Sequence, residues 1–148
     1  MQNINDHSLF LLSLNRFCYD VGRVISKKYH LSVNERNALI VLSGIDLNSV
    51  KELSGYLAIS KTNTSKVLSS LEKKNLITRV FDKNDKRFIQ LSLTEQGKLT
   101  TQIVADEINV LFKKRLSEIP NEIGEKLLNL IDENQELVNY YSFNSQIK

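Results

Sequence analysis

The chain is poor in the residues that constrain a backbone or cross-link it. Of its 148 residues one is cysteine, one is proline, none is tryptophan and only five are glycine. A single cysteine, Cys18, excludes a disulfide framework within the chain and makes a reducing compartment the natural setting. The scarcity of proline and glycine favours a mostly helical chain. No long apolar run exists: the start, "MQNINDHSLFLLSLNRF", is broken by Ser13, Asn15 and Arg16, too soon to span a bilayer. It also lacks the basic start and small-residue cleavage site of a signal peptide. The expectation is a soluble cytoplasmic protein with no membrane partner. CxxC and HxxxH spacings are missing, and His7 and His30 stand far apart, so no metal site is expected. Without a glycine-rich phosphate loop, a nucleophile elbow or paired carboxylates in a plausible cleft, the reading is not an enzyme and requires no cofactor.

What is present is an uneven distribution of charge. The net formal charge is only +3, but residues 48–94 carry nine Lys/Arg against four Asp/Glu, whereas residues 95–148 carry six against nine. A basic middle third hints at a polyanionic partner. The competing reading is lysine that serves solubility alone.

Apolar spacing predicts a long helix over 8–29, with Phe10, Leu14, Phe17, Cys18, Val21 and Ile25 on one face. A shorter helix follows over 33–43 with Val33, Ala38, Leu39, Val41 and Leu42, capped by Ser32 with Glu35 closing a capping box. Ser49 and Glu52 open a third helix, with Val50, Leu53 and Leu57 as its apolar face. Ser60 caps a fourth, which Asn75 stops in a left-handed conformation. From 76 the period changes to two. Thr78 and Val80 alternate with Ile77, Arg79 and Phe81, and Ile89, Leu91 and Leu93 share one side of a second run, giving a β-hairpin with a charged tip. Thr94 caps a long helix over 95–117 with Leu99, Ile103, Leu111, Phe112 and Leu116. Pro120 stands at the start of a last helix, 121–141. This order predicts a mainly α fold with a small β-hairpin wing: a winged helix-turn-helix with flanking helices. The whole of 1–148 reads as one domain, with a winged helix-turn-helix lobe at 48–94, the expected DNA-binding lobe on the residues below, and helical regions at 1–30 and 95–142 that the family resemblance below makes the dimerisation regions.

The fourth helix, in "SKTNTSKVLSSLEKKNLITR", is informative. At ~100° per residue, Thr64, Val67, Leu68 and Leu71 share one side. Thr62, Lys66, Ser69 and Lys73 share the other, flanked by Ser65 and Ser70, with Lys61 and Asn63 at the edges of the first turn. No acid occurs before Glu72. Small hydroxyls permit close approach to base edges or phosphates, lysine contacts guanine or neutralises phosphate, and asparagine pairs with adenine. The first turn, from Ser60, offers free N–H groups and the positive end of the helix dipole to phosphate. Such a face can also be merely solvated; the helix before it and the hairpin after it favour double-stranded DNA. In the hairpin tip, "FDKNDKRF", Lys83, Lys86 and Arg87 are expected to reach a narrow minor groove. Asp85 is expected to aim Arg87, against the plainer role of turn former.

The spacing Asp85-Lys86-Arg87, five residues, then Leu93-Thr94 resembles the D-x-R-x-x-x-x-x-L-T signature of the MarR family of bacterial transcriptional regulators. The stretch "VKELSGYLAISKTNTSKVLSSLEKKNLITR" and the helix opening "LTEQG" resemble the same family, with Asn75 where its members commonly carry glycine. The resemblance covers 50–97 in detail. It implies a homodimer whose first and last two helices interlock, acting on a promoter palindrome, usually as a repressor. It also implies a small, often aromatic, effector or an oxidant as the releasing signal. Tyr19, Tyr29 and Tyr56 are candidates to line an effector pocket, or ordinary packing residues. Cys18 lies nearer its helix's end than the reactive cysteine of the peroxide-sensing branch, so it is expected to be buried between Phe17 and Val21. The alternatives are a redox-sensing regulator switched through Cys18 and a winged helix that binds proteins rather than DNA.

Overall fold

The computed structural model describes residues 6–45, 47, 49–81, 89–118, 125 and 129. Within them the chain runs α1 (Asp6–Tyr29), α2 (Val33–Gly44), α3 (Val50–Leu57), α4 (Lys61–Lys73), β1 (Ile77–Phe81), β2 (Ile89–Leu93) and α5 (Glu95–Ser117). The order and the element types agree with the sequence reading. The wing tip and, apart from the helical residues 125 and 129, the last helix expected at 121–141 lie outside the described residues.

Side-chain caps set the helix starts. Ser32 accepts from the Glu35 N–H while the Glu35 carboxylate accepts from the Ser32 N–H at 2.6 Å, a reciprocal capping box. Ser49, Ser60 and Thr94 accept from the N–H groups of Glu52, Asn63 and Gly97. Between α3 and α4 the chain turns through Ala58 in the left-handed region (φ 52°), where Ile59 N–H bonds back to the Ser54 carbonyl. Asn75 (φ 56°) ends α4 as expected, and Leu76 N–H closes onto the Leu71 carbonyl. The strands pair antiparallel in the register Ile77↔Leu93, Arg79↔Leu91, Phe81↔Ile89.

A single core joins these elements. Ile25 of α1, Ala38 and Leu39 of α2, Leu53 of α3, Leu68 and Leu71 of α4, Ile77 and Leu91 of the hairpin and Val104 of α5 are all buried. Burying one such leucine contributes about 2 kcal/mol. The hairpin is fixed to the helices by close backbone approach. Thr94 N–H donates to the Leu76 carbonyl at 3.1 Å, and a Cβ on Gly97 would lie 1.9 Å from that same oxygen. Only glycine lets the first turn of α5 sit there.

On α5 the structure shows which apolar residues the chain itself covers, and on α1 one side chain differs from expectation. On α5 the buried positions are Gly97, Thr101, Val104 and Leu116, while Leu99 and Ile103 are 57% and 43% exposed. On α1, Ile25 is buried and Phe17 packs on Phe112 of α5, their ring centroids 5.6 Å apart, but Cys18 is exposed rather than buried. The physical reason is that α5 and α1 each carry apolar residues around more than one face, and one chain covers only one of them. Phe10 and Leu14 have side chains outside the described residues.

Candidate nucleic-acid interface

The partition of α4 is the one its periodicity predicts. Thr64, Val67, Leu68 and Leu71 are buried, and the buried Thr64 hydroxyl is satisfied by the Ser60 carbonyl at 3.1 Å. Ser60, Lys61, Thr62, Asn63, Ser65, Lys66 and Lys73 are exposed, and Ser69 and Ser70 are half-buried. Six of these, Thr62, Ser65, Lys66, Ser69, Ser70 and Lys73, line one shallow, open concavity of about 450 Å³. Lys61 and Asn63 stand beside it on the first turn. Lys61, Lys66 and Lys73 form no ion pair among the described residues, and the Thr62 and Ser65 hydroxyls make no hydrogen bond there. Lys61, Thr62, Ser65, Lys66 and Lys73 are thus not engaged among the described residues, whereas Ser69 and Ser70 are. The wing residues Lys83, Asp85, Lys86 and Arg87 lie outside the described residues.

Two ion pairs hold α4 in place, and neither is part of the sequence reading. At its C-terminal end Lys74 bridges the Glu35 carboxylate at 2.7 Å and the His30 carbonyl at 2.8 Å. Burial by itself would raise the Glu35 carboxyl. The Lys74 ammonium, with hydrogen bonds from Ser70 and Ser32, outweighs it and leaves the group below its ordinary value. At the strand side, Arg79 of β1 reaches across to α4. Its Nη2 donates to the Glu72 carboxylate and to Ser69 Oγ at 3.2 Å. Glu72, the first acid of the helix, is thereby spoken for. A readable signal existed: the alternation puts Arg79 on the same side as Ile77, and a cation on the core side of a strand needs a partner.

The three tyrosines have separate settings. Tyr19 is 70% exposed, the Tyr29 hydroxyl donates to Glu107 at 3.2 Å, and Tyr56 packs against the core. Lys28 meets the same Glu107 at 2.7 Å, so the end of α1 is tied to α5.

Comparison with known proteins agrees with this architecture. A family model described as the transcriptional regulator SarA/Rot matches residues 21–103. The HTH-type transcriptional regulator SarZ of Staphylococcus epidermidis is 27% identical over 112 residues, covering 76% of this chain and 72% of SarZ. YpoP of Bacillus subtilis, an uncharacterized HTH-type transcriptional regulator, is 30% identical over 96 residues, covering 65% of this chain and 67% of YpoP. A crystal structure of a MarR-family transcriptional regulator from Rhodococcus sp. RHA1 superposes with a TM-score of 0.73 at 15% identity, covering 98% of this chain and 99% of that one. The fold is therefore the MarR winged helix, and with the family model spanning more than half of its length, the chain belongs to the SarA/Rot family of DNA-binding transcriptional regulators.

Proposed function

We propose that the protein is a homodimeric, sequence-specific repressor that sets α4 of each protomer into the major groove of a palindromic operator. The observation that carries this reading is the outer face of α4. Thr62, Ser65 and Lys66 stand exposed and unengaged around one concavity, while the buried face of the same helix locks it to the core. Base reading falls to Thr62, Asn63, Lys66 and Ser69, and phosphate binding to Ser60, Lys61 and Ser65 on the first turn. Lys83, Lys86 and Arg87, with Asp85 aiming Arg87, supply the minor-groove contact. Two-fold pairing is supported by the apolar side chains left exposed on α1 and α5: Leu12, Tyr19, Leu99, Ile103 and Val110. The protein acts in the cytoplasm, where promoter DNA is, by binding alone and without catalysis. The small aromatic effector of this reading comes from family resemblance alone.

Footprinting on the protein's own upstream DNA, with gel shifts across a salt series, tests the reading. Protection of two half-sites about one helical turn apart, with affinity falling steeply in salt, is the expected result. In the same assay Lys66→Ala and Thr62→Ala relax discrimination, while Arg87→Ala weakens specific and random DNA alike and lowers the salt slope. No protection, or binding indifferent to salt, overturns it in favour of a protein-binding module.

A second reading is redox switching through Cys18. It is favoured by the exposure of that thiol. An alkylation rate no faster than that of glutathione retires it.

A further inference from the structure

The geometry points to Arg79 as a specificity-determining residue that acts through Ser69: it fixes the Ser69 hydroxyl as a hydrogen-bond donor toward the groove and masks Glu72 from the DNA. The inference rests on the reading of α4 as the groove-facing helix.

Hydrogen-bond capacity sets the direction of the Arg79–Ser69 contact. A guanidinium can only donate, and a serine hydroxyl has one hydrogen to give and lone pairs to accept with. The 3.2 Å contact between Arg79 Nη2 and Ser69 Oγ therefore has the serine oxygen as acceptor. The Ser69 hydrogen must go elsewhere. Ser43, Ser54 and Ser117 each donate to the carbonyl three residues earlier in their own helix. Ser69 makes no such bond, and its hydrogen has no acceptor among the described residues. Ser69 also lines the open concavity beside Lys66 and Lys73. Pinned from behind and undonated in front, it presents a donor.

A donor at that position accepts only part of the major-groove code. Guanine O6 and N7, thymine O4 and adenine N7 satisfy it, whereas the amino groups of cytosine and adenine do not. A serine free to rotate would take either class. The same guanidinium nitrogen holds the Glu72 carboxylate, so the acid nearest the reading face is neutralised by the group that sets the serine. Arg79 is well buried, its side chain 18% exposed, and its Nε is buried with no partner among the described residues. Orientation thus comes from Nη2 alone, so substitution of Arg79 frees both Ser69 and Glu72.

The test is selection from a random duplex pool by full-length protein, with affinities then measured on the duplex the wild type selects and on an unselected duplex of equal length. Ser69→Ala is expected to lose one base preference in each half-site, a loss of about 10-fold in discrimination. The charge-balanced pair Glu72→Gln with Arg79→Gln is expected to lose that same preference, keep the others, and bind unselected duplex within about 2-fold of wild type. Arg79→Gln alone, which bares Glu72, is expected to weaken both duplexes and lower the salt slope by about one. A merely structural arginine would weaken every base position evenly. If the arginine variants do not fold, Glu72→Gln decides: it leaves Arg79 on Ser69, so the Ser69-dependent preference stays and the salt slope rises by about one. The inference is overturned if Ser69→Ala loses no preference, if the double variant keeps the one that Ser69→Ala loses, or if Glu72→Gln abolishes it. Wild type that selects no duplex sinks the DNA-reading role of α4 itself, a failure distinct from these.

Discussion

The lobe from Val50 to Leu93 and the two long helices that flank it dispose of their apolar side chains in opposite ways. In the lobe, Leu53, Val67, Leu68, Leu71, Ile77 and Leu91 are all buried, and Val80 is its one large apolar side chain fully exposed among the described residues. On α1 and α5 a buried stripe through Ile25 and Val104 coexists with exposed Leu12, Tyr19, Leu99, Ile103 and Val110. Singly exposed apolar residues are ordinary, but repeated ones on the outer sides of two long helices mark surface made to be covered. The lobe finishes its core within one chain and turns hydroxyls and lysines outward. The long helices do not, which is the division expected if the lobe meets DNA and the long helices meet a second copy, as proposed above.

The strongest way to break this contrast is at the joint between the two regions. Gly97 lies against the Leu76 carbonyl so closely that any Cβ displaces backbone rather than a side chain. Gly97→Ala is expected to cost about 3 kcal/mol or more and to swing the hairpin away from α5. Chemical denaturation gives the first quantity, and loss of DNA binding by the remaining folded fraction gives the second. A stability within about 0.5 kcal/mol of wild type would show the joint to be soft.

The next break falls on the outer face of α5. Leu99→Asp combined with Ile103→Asp leaves the buried stripe through Thr101 and Val104 untouched, so helix content by circular dichroism is expected to hold. Self-association should weaken by at least about 100-fold, since each burial lost contributes about 1.5–3 kcal/mol. Sedimentation is expected to show monomer for the variant and the proposed dimer for wild type. Unchanged dimers would mean that these side chains are exposed for another reason, and the contrast between the regions would lose its meaning.

The sequence made some of this legible and hid the rest, for physical reasons. Caps are local, so Ser32 with Glu35, Ser49, Ser60 and Thr94 could be read from neighbours three residues away. The inner side of α4 was legible because one helical period sorts its residues cleanly. On α5 the same rule fails: with apolar residues all round, periodicity cannot say which stripe the chain itself covers, and it does not tell the exposed Leu99 and Ile103 from the buried Val104 and Leu116. Cys18 misled for the same reason. The bonds of Arg79 to Ser69 and Glu72 join a strand to a helix across a turn, and spacing alone does not report such pairs.

Smaller effects sharpen the comparison where α2 holds the end of α4. The Glu35 carboxyl is lowered in the folded chain from its ordinary value near 4.5. Its contribution is therefore fully present above the unfolded value and lost as pH falls through the folded one. Glu35→Gln is expected to reduce stability by about 1–2 kcal/mol near neutral pH, with Lys74, 37% exposed, recovering part of its interaction from water. The gap between variant and wild type should narrow as pH falls below the ordinary carboxyl value and close only below the lowered folded one. Denaturation midpoints between pH 3 and 7 would show it, and a gap constant with pH would assign the loss to packing.

The smallest change separates folding from binding at a single residue. Ser60 caps α4 by accepting the Asn63 N–H at 3.2 Å, and it stands exposed at the turn proposed to face DNA. Ser60→Ala removes the cap and is expected to cost about 1 kcal/mol, whereas Ser60→Gly costs only a few tenths. Ser60→Asp keeps a capping oxygen and places an anion at the positive end of the helix dipole, so stability should stay level or rise slightly. That same anion would meet a phosphate where wild type offers a hydroxyl. DNA affinity should then fall steeply while the melting temperature does not. Ser60→Asp that binds as wild type would move the first turn of α4 away from the DNA backbone, and with it the phosphate-binding role given to Ser60, Lys61 and Ser65.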